Sequence, residues 1–229
     1  MTESSPALGR QLPADRFHTG VRVATLGAWV LSIVLTFVIL ALIATQIFGP
    51  LPGPGVLGVA VAAVILAQPL AWLVEKQLLR RWPSGRAVEL APGALVWRDH
   101  AQNWRLDLTQ KVNFWRWRFP VKKQRGGRVP GSYHVFALRL VQGDSVVTLY
   151  SFVPPAVAER EAARYPYYEL RRPNDPGKTA LGGRDSMFLA AEHARWDVGA
   201  ELDPGDFEAL TAHLATYVPD FSRGAQSGV

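Results

Sequence analysis

Residues 23–74 read VATLGAWVLSIVLTFVILALIATQIFGPLPGPGVLGVAVAAVILAQPLAWLV and contain no charged side chain. The bilayer core is about 30 Å thick, so a helix that rises about 1.5 Å per residue needs roughly 20 apolar residues to cross it. Residues 23–48 and 56–74 both meet that length. The proline- and glycine-rich segment 49–55 between them cannot continue a helix or remain unpaired in hydrocarbon. The sequence therefore predicts a membrane hairpin over residues 21–80, with helices at about 23–48 and 56–79 and a turn at 49–55.

Small residues recur at every fourth position in both predicted spans. They are Ala24, Ala28, Ser32 and Thr36 in the first span and Ala63, Ala67 and Ala71 in the second. Small side chains let two helix backbones approach closely, so we expect the two stripes to face each other. The second span is also expected to kink at Gln68-Pro69.

Positively charged residues flank the predicted hairpin on both sides, whereas the turn carries none. Those nearest the spans are Arg10, Arg16 and Arg22 before the hairpin and Lys76, Arg80, Arg81 and Arg86 after it. Because Lys and Arg near a span stay in the cytoplasm, both termini are predicted to be cytoplasmic. Tryptophans bracket the exit of the second span, and such rings favour the headgroup level. The expected membrane-interface anchors are Trp72, Lys76, Arg80, Arg81 and Trp82.

Charge is divided unevenly over the rest of the chain. Residues 75–139 hold 14 Lys or Arg against 4 Asp or Glu, and residues 140–229 hold 8 against 13. A basic region beside the membrane predicts contact with anionic lipid or an acidic partner, although it also follows from the positive-inside rule. The chain has no cysteine. This excludes disulfides and thiolate metal sites.

From Ser84 onward the pattern of apolar residues changes to period two, and turn residues separate short segments rich in β-branched and aromatic residues. Such segments predict strands. The six predicted strands are 88–90, 94–98, 103–108, 111–119, 133–141 and 145–153. This many short strands imply an antiparallel sheet that folds on itself or packs against a helix.

The remaining segments are assigned from local signals. Residues 1–20 are polar and predict a disordered tail, and residues 221–229 predict a flexible one. Residues 156–164 are expected to be helical and 171–183 to form a loop, while the pattern of 185–198 fits a helix or a strand. Asp203 as N-cap and Pro204 in the first turn predict a final amphipathic helix over 204–218.

Residues 88–112, VELAPGALVWRDHAQNWRLDLTQKV, follow the membrane hairpin and a short basic linker. This arrangement resembles the bacterial PH-like (pleckstrin-homology-like) domain proteins with membrane anchors. The resemblance covers roughly residues 83–153 and the final helix, and it lies in pattern and architecture. It implies an α+β membrane protein in which residues 81–220 form a cytoplasmic PH-like split barrel capped by helix 204–218. The insertion at 154–202 is longer than the family's usual connection.

The strongest candidate for a binding surface is residues 113–128, NFWRWRFPVKKQRGGR. In its strand half, alternation sends Trp115, Trp117 and Phe119 to one face and Phe114, Arg116 and Arg118 to the other. The aromatic face is expected in the core and the arginines in solvent. The loop half carries too much positive charge to be part of a core. Each Lys or Arg near an anionic bilayer contributes about 1 kcal/mol to binding at its surface. The candidate lipid- or partner-binding residues are Arg116, Arg118, Lys122, Lys123, Arg125 and Arg128.

Catalytic signatures are absent from the sequence. It contains no GxSxG, HExxH or GxxxxGK[ST] motif, and its five histidines lack metal-ligand spacing. No cofactor or metal is expected. The insertion contains Glu192, His193 and Asp197, which are residue types that serve in acid/base catalysis. An uncharacterised enzyme with its site there is therefore an alternative function. Nucleic acid is not an expected partner, since a membrane-tethered domain has little access to it.

These observations together predict a non-enzymatic adaptor or scaffold of the bacterial plasma (inner) membrane. Its cytoplasmic domain is expected to bind a protein partner, an anionic lipid surface or both, and it could form a homo-oligomer. The alternative is an accessory or assembly subunit of a larger membrane complex. In that case the outward faces of the hairpin would pack against other helices.

Overall fold

The computed structural model describes residues 9–99, 103–121, 129–170 and 182–224, together with the backbone of 226–227. The protein is α+β and divides into two compact units. The helical unit is Arg16–Ser84. The β unit combines the described residues up to Asp15 with those from Gly85 onward.

The helical unit is a pair of long helices, α1 at Thr19–Phe48 and α2 at Gly53–Arg81. Both are long and apolar enough to cross a membrane, and none of the most apolar stretch of α1 is buried. The buried residues of α2 are Ala63, Ala67 and Ala71. The α1 stripe of Ala24, Ala28, Ser32 and Thr36 is half-buried. Because α1 and α2 contact each other, this burial agrees with the predicted small-residue interface.

The open end of the hairpin is closed by two aromatic rings. His18 and Trp82 make an edge-to-face contact with centroids 5.4 Å apart. The His18 Nε2 atom also lies 3.2 Å from the Trp82 carbonyl oxygen. The start of α1 and the end of α2 are therefore held together.

The first sheet of the β unit has four antiparallel strands in the order β1-β2-β3-β4. Their bounds are Arg10–Pro13, Ala87–Ala91, Ala94–Arg98 and Asn103–Asp107. Strands β2, β3 and β4 confirm three sequence predictions. The β2–β3 turn needs Gly93, whose φ of 65° is unfavourable for other residues.

Strand β1 corrects the prediction that residues 1–20 form a disordered tail. Residues 9–20 are ordered, and β1 pairs with β2 so that Leu12 lies opposite Val88. Leu12 and Ala14 are 0% exposed. Asp15 then accepts a hydrogen bond from the Glu201 backbone N–H at 2.8 Å and pairs with Arg86 at 3.1 Å. The segment gains its order from partners far along the chain, and four residues are too few to show a period.

The second sheet is mixed, with the path β10-β5-β6-β7-β9 and β8 pairing beside β10 on β5. The three long strands are β5 at Asn113–Pro120, β6 at His134–Gln142 and β7 at Ser145–Val153, and all three were predicted. The two-residue strands are β8 at Tyr168–Glu169, β9 at Ala200–Glu201 and β10 at Gln226–Ser227. β8 and β9 run parallel to their neighbours, and β10 runs antiparallel.

Three helices complete the β unit: α3 at Pro155–Arg164, α4 at Gly183–Val198 and α5 at Pro204–Tyr217. The ambiguous segment 185–198 is therefore helical. Asp203 is the N-cap residue of α5, and Pro204 is in its first turn, as predicted. Most of the predicted loop 171–183 lies outside the described residues.

Two hydrophobic clusters lie on opposite faces of the second sheet. The larger joins both sheets with α3 and α5 and includes Phe114, Phe136 and Phe207. The smaller lies between the sheet and α4 and includes Trp117 and Phe188. The Gln142 side chain links the sheets, because its amide exchanges two hydrogen bonds of 2.8 Å with the backbone of Asp107.

We predict that Leu12→Ala lowers the free energy of unfolding of the β unit by about 2–5 kcal/mol, because it opens a cavity at a fully buried position. The neighbouring Gln11→Ala, at an exposed position of the same strand, should change it by less than about 0.5 kcal/mol. Urea unfolding in detergent, followed by tryptophan fluorescence, measures both. Equal midpoints for the two variants would contradict the place of β1 in the sheet.

Candidate functional site

The candidate segment 113–128 forms strand β5 in its first half. Residues 122–128 lie outside the described residues, so a binding role of Lys122, Lys123, Arg125 and Arg128 remains a prediction. The faces of β5 alternate as expected: Trp117 and Phe119 belong to the cluster under α4, and Phe114 belongs to the larger core. Both faces are covered, so β5 offers no open surface of the kind that the sequence suggested.

Arg116 corrects the expectation that the strand arginines are solvated. Its side chain is 0% exposed. Four aromatic rings surround the guanidinium carbon within the range of cation–π contacts. Their centroids lie at 4.3 Å for Phe221, 5.3 Å for Phe114, 5.5 Å for Tyr167 and 5.7 Å for Tyr165. Arg118, by contrast, is half-buried.

The hydrogen bonding of Arg116 is incomplete within the part of the chain that the structure describes. Its Nη2 atom donates to the Gly224 carbonyl oxygen. Its Nε and Nη1 atoms have no partner there. Burial lowers the pKa of Arg116 to about 10, so the group is still a cation at neutral pH. A buried cation with free donors is costly to maintain, and it is suited to accept further oxygen ligands.

Polar groups of α3, α5 and the loop after α3 lie around this cation. Glu161 is buried and accepts a hydrogen bond from Thr211 Oγ1 at 3.0 Å, while its Oε2 atom has no partner among the described residues. Burial raises the pKa of Glu161, opposed by the Thr211 hydrogen bond and by the charge of Arg116. Burial also raises the pKa of Tyr167 well above its usual value. The interior between the sheets is therefore partly polar at this end.

The segment after α5, here called the strap (residues 219–224 and the backbone of 226–227), covers Arg116. Phe221 is 0% exposed and packs on Phe114 at 5.1 Å and Tyr165 at 5.6 Å between ring centroids. The backbone of 226–227 pairs with β5. The strap corrects the prediction that residues 221–229 form a flexible tail, over the part that is described. Phe221 is one aromatic residue among polar ones, so this segment has no hydrophobic periodicity from which its order could be predicted.

The opposite face of β5 carries a second buried charge cluster. Glu192 of α4 accepts a hydrogen bond from Trp117 Nε1 at 2.8 Å. Its carboxylate also binds Arg195 through two hydrogen bonds of 2.8 and 2.9 Å. The Arg195 guanidinium lies 4.5 Å from the ring centroids of both Tyr150 and Trp196. This pair is fully engaged in holding α4 on the sheet.

The alternative acid/base group of the insertion is not assembled. Glu192 is buried in its pair with Arg195, whereas His193 and Asp197 are exposed on α4. Over the described residues, no group of three or more His, Asp or Glu side chains is arranged to hold a metal ion. The sequence placed these residues together because they are near in sequence. In the helix, Glu192 faces the sheet, whereas His193 and Asp197 lie one turn apart on the exposed side.

The predicted interface anchors lie at the end of α2. Trp72 and Trp82 are 60% and 47% exposed. Lys76 places its ammonium 5.1 Å from the Trp72 ring centroid. Arg80 and Arg81 are exposed in the last turn of the helix, where cations interact favourably with the helix dipole. These side chains form an aromatic and cationic girdle around the end of the apolar helix.

Comparison with known proteins gives no match for this chain: no family model, no curated protein and no solved structure matches it.

We predict that Glu192→Ala lowers the free energy of unfolding by about 3–5 kcal/mol, because it leaves Arg195 as an unpaired buried charge. Asp197→Ala, an acidic position exposed on the same helix, should change it by less than about 0.5 kcal/mol. Urea unfolding of both variants in detergent tests this. A reduced cost when Arg195→Ala is added to Glu192→Ala would show the coupling of the pair; additive costs would count against it.

Proposed function

We propose that this protein is a membrane-anchored adaptor: α1 and α2 cross the bilayer, and the β unit binds a protein partner on one side of it. The exposed apolar surface of both helices supports the anchor, since a soluble core helix would be mostly buried. The girdle at the end of α2 fits a membrane–water interface. A β unit with two separate buried cores supports a stable folded module beside the membrane.

The observation that carries this proposal is the pairing of β1 with β2 across the hairpin. β1 precedes α1 and β2 follows α2, yet the two strands exchange hydrogen bonds in one sheet. Strands paired in water must lie on the same side of a bilayer. The chain between them therefore crosses an even number of times, which fits two spans.

We place that side in the cytoplasm of a bacterial inner membrane, and the charge distribution supports this choice. The Lys and Arg residues flank the hairpin where β1 and β2 also lie, and the turn between the helices, residues 49–52, is uncharged. For the β unit we retain the PH-like split barrel as part of the proposal. Two sheets joined at Gln142 and a final amphipathic helix packed in the shared core support it.

A second candidate function is an accessory or assembly subunit of a larger membrane complex. One observation favours it: Gln68, in the middle of α2, is exposed on the surface of the hairpin. A polar amide at that depth is stabilised when it bonds to another helix. A second copy of the chain would supply the same amide. Co-purification of a complex of fixed stoichiometry after gentle solubilisation would favour this function over the adaptor.

The anchoring topology is tested by cysteine labelling, since the chain has no cysteine of its own. Gly53→Cys lies at the first residue of α2, next to the turn, where an added Cβ meets nothing within 4 Å. Asp144→Cys lies in the exposed β6–β7 turn. We predict that a membrane-impermeant maleimide labels Gly53→Cys in intact bacterial cells and Asp144→Cys only after permeabilisation. Labelling of Asp144→Cys in intact cells would contradict the proposed side.

Contact of the basic loop with lipid is a separate part of the proposal. Lys122, Lys123, Arg125 and Arg128 can together contribute about 4 kcal/mol at most on an anionic surface. We predict that an environment-sensitive fluorophore on Gly127→Cys shifts its emission to the blue in anionic nanodiscs. Physiological salt should weaken the shift by screening, and alanine at the four basic positions should remove it.

The matched control is the same fluorophore on Asp144→Cys, which should report the same emission in neutral and anionic nanodiscs. If the emission from Gly127→Cys is also independent of lipid charge, the proposed contact between the basic loop and lipid is wrong. The loop would then be a protein-binding or solvated segment. The adaptor function would in that case depend on the binding of a protein partner alone.

A further inference from the structure

We propose that the strap occupies a peptide-binding groove, and that the partner of this protein binds there through an extended segment bearing an aromatic side chain. This inference rests on the proposed adaptor function and names its site. The groove consists of the Arg116 guanidinium, the aromatic rings around it and the outer edge of β5. The strap is the ligand that the chain itself supplies.

The slot for the aromatic side chain is formed by rings from β5 and from the segment that follows α3. Phe114 comes from β5, Tyr165 follows α3, and Tyr167 lies two residues further along the chain. The Phe221 ring fills the slot and makes the shortest ring contact with Arg116, at 4.3 Å. A flat ring between other rings and a guanidinium gains both apolar burial and cation–π attraction.

Arg116 binds the backbone of the strap close to that ring. It donates to the carbonyl oxygen of Gly224, three residues after Phe221. Its Nε and Nη1 atoms keep donor capacity that no described residue uses. The contrast with Arg195 is informative, because that buried arginine binds a carboxylate through two hydrogen bonds and serves packing alone. Among the described residues, Arg116 thus has the incomplete bonding that suits a ligand-binding group.

The edge of β5 supplies the third element of recognition. In the described part of the chain, two-residue strands pair with it on the outer side, β10 at 114–115 and β8 at 117–118. Addition of a strand to a sheet edge gives affinity through main-chain hydrogen bonds, and side-chain pockets give specificity. An aromatic slot, a carbonyl-binding arginine and a strand edge together recognise an extended peptide.

The strap meets the rest of the β unit through the buried Phe221 ring and few other interactions. Beyond the Phe221 ring, it has the Arg116 hydrogen bond, turn hydrogen bonds from the N–H groups of Arg223 and Gly224 to Asp220, and the short pairing of β10. Segments with few buried contacts open at free energies well below global unfolding. A partner segment of the same chemistry therefore competes with the strap.

The test uses the full chain in detergent and an acetylated, amidated peptide PDFSRGAQS, which copies residues 219–227. Phe221→Ala empties the slot, so this variant should bind the peptide about tenfold or more tightly than the native chain, in which the strap competes. A peptide with alanine in place of phenylalanine should bind at least about tenfold more weakly. Fluorescence anisotropy of labelled peptides measures both ratios.

Two further variants separate the groove from nonspecific binding. Ser222→Ala, at an exposed strap position, should leave peptide affinity at the native value. Arg116→Met added to Phe221→Ala should remove most of the gain. Equal affinity of Phe221→Ala for the two peptides would overturn the proposal, and so would a gain that survives Arg116→Met.

The native chain provides a second measurement if Phe221→Ala does not fold. Excess phenylalanine peptide should speed hydrogen exchange at the amides of Phe221, Arg223 and Gly224, which are hydrogen-bonded in the strap, and the alanine peptide should not. Unchanged exchange would overturn the proposal. Both measurements are made without a membrane, so their failure leaves the cysteine-labelling result on anchoring intact, and a failed anchor leaves the groove intact.

Discussion

The β unit depends on a sheet that is buried on both of its faces. β5, β6 and β7 carry large apolar side chains on each side, and neither side can face water without loss of the hydrophobic free energy. The first sheet and α5 cover one face, and α4 covers the other. Segment 154–202 meets this requirement: its α4 covers the second face, and its short strands β8 and β9 pair with β5 and β7.

The interior on the two sides of this sheet also contains charged residues, and the buried Arg116 and Arg195 are compensated differently. Arg195 meets a carboxylate in a bidentate geometry, which compensates much of its desolvation. Within the described part of the chain, Arg116 meets mainly aromatic rings and one carbonyl oxygen, so more of its desolvation cost remains. A structure that retains such a cost commonly does so at a functional site. The difference between the two arginines is the main reason to look for function beside Arg116.

The sequence predicts the elements whose patterns are local and long. The hairpin follows from length and hydropathy, and the six main strands follow from period-two alternation between turn residues. It does not predict β1 or the strap, because segments of two to four residues have no measurable period and gain order only from distant partners. It also misplaces Arg116. Alternation correctly puts Arg116 opposite Trp117, but it cannot reveal that a segment a hundred residues later covers that face.

The position of β1 ahead of the hairpin has a consequence for assembly. For the β unit, the whole hairpin is a loop between two hydrogen-bonded strands, and bringing the ends of a long loop together costs entropy. Packing of α1 on α2 and the His18–Trp82 contact already bring those ends together. The paired helices thus lower the entropic cost of completing the first sheet. A chain in which the two helices fail to pair would leave β2 as an open edge strand, and such edges are prone to aggregation.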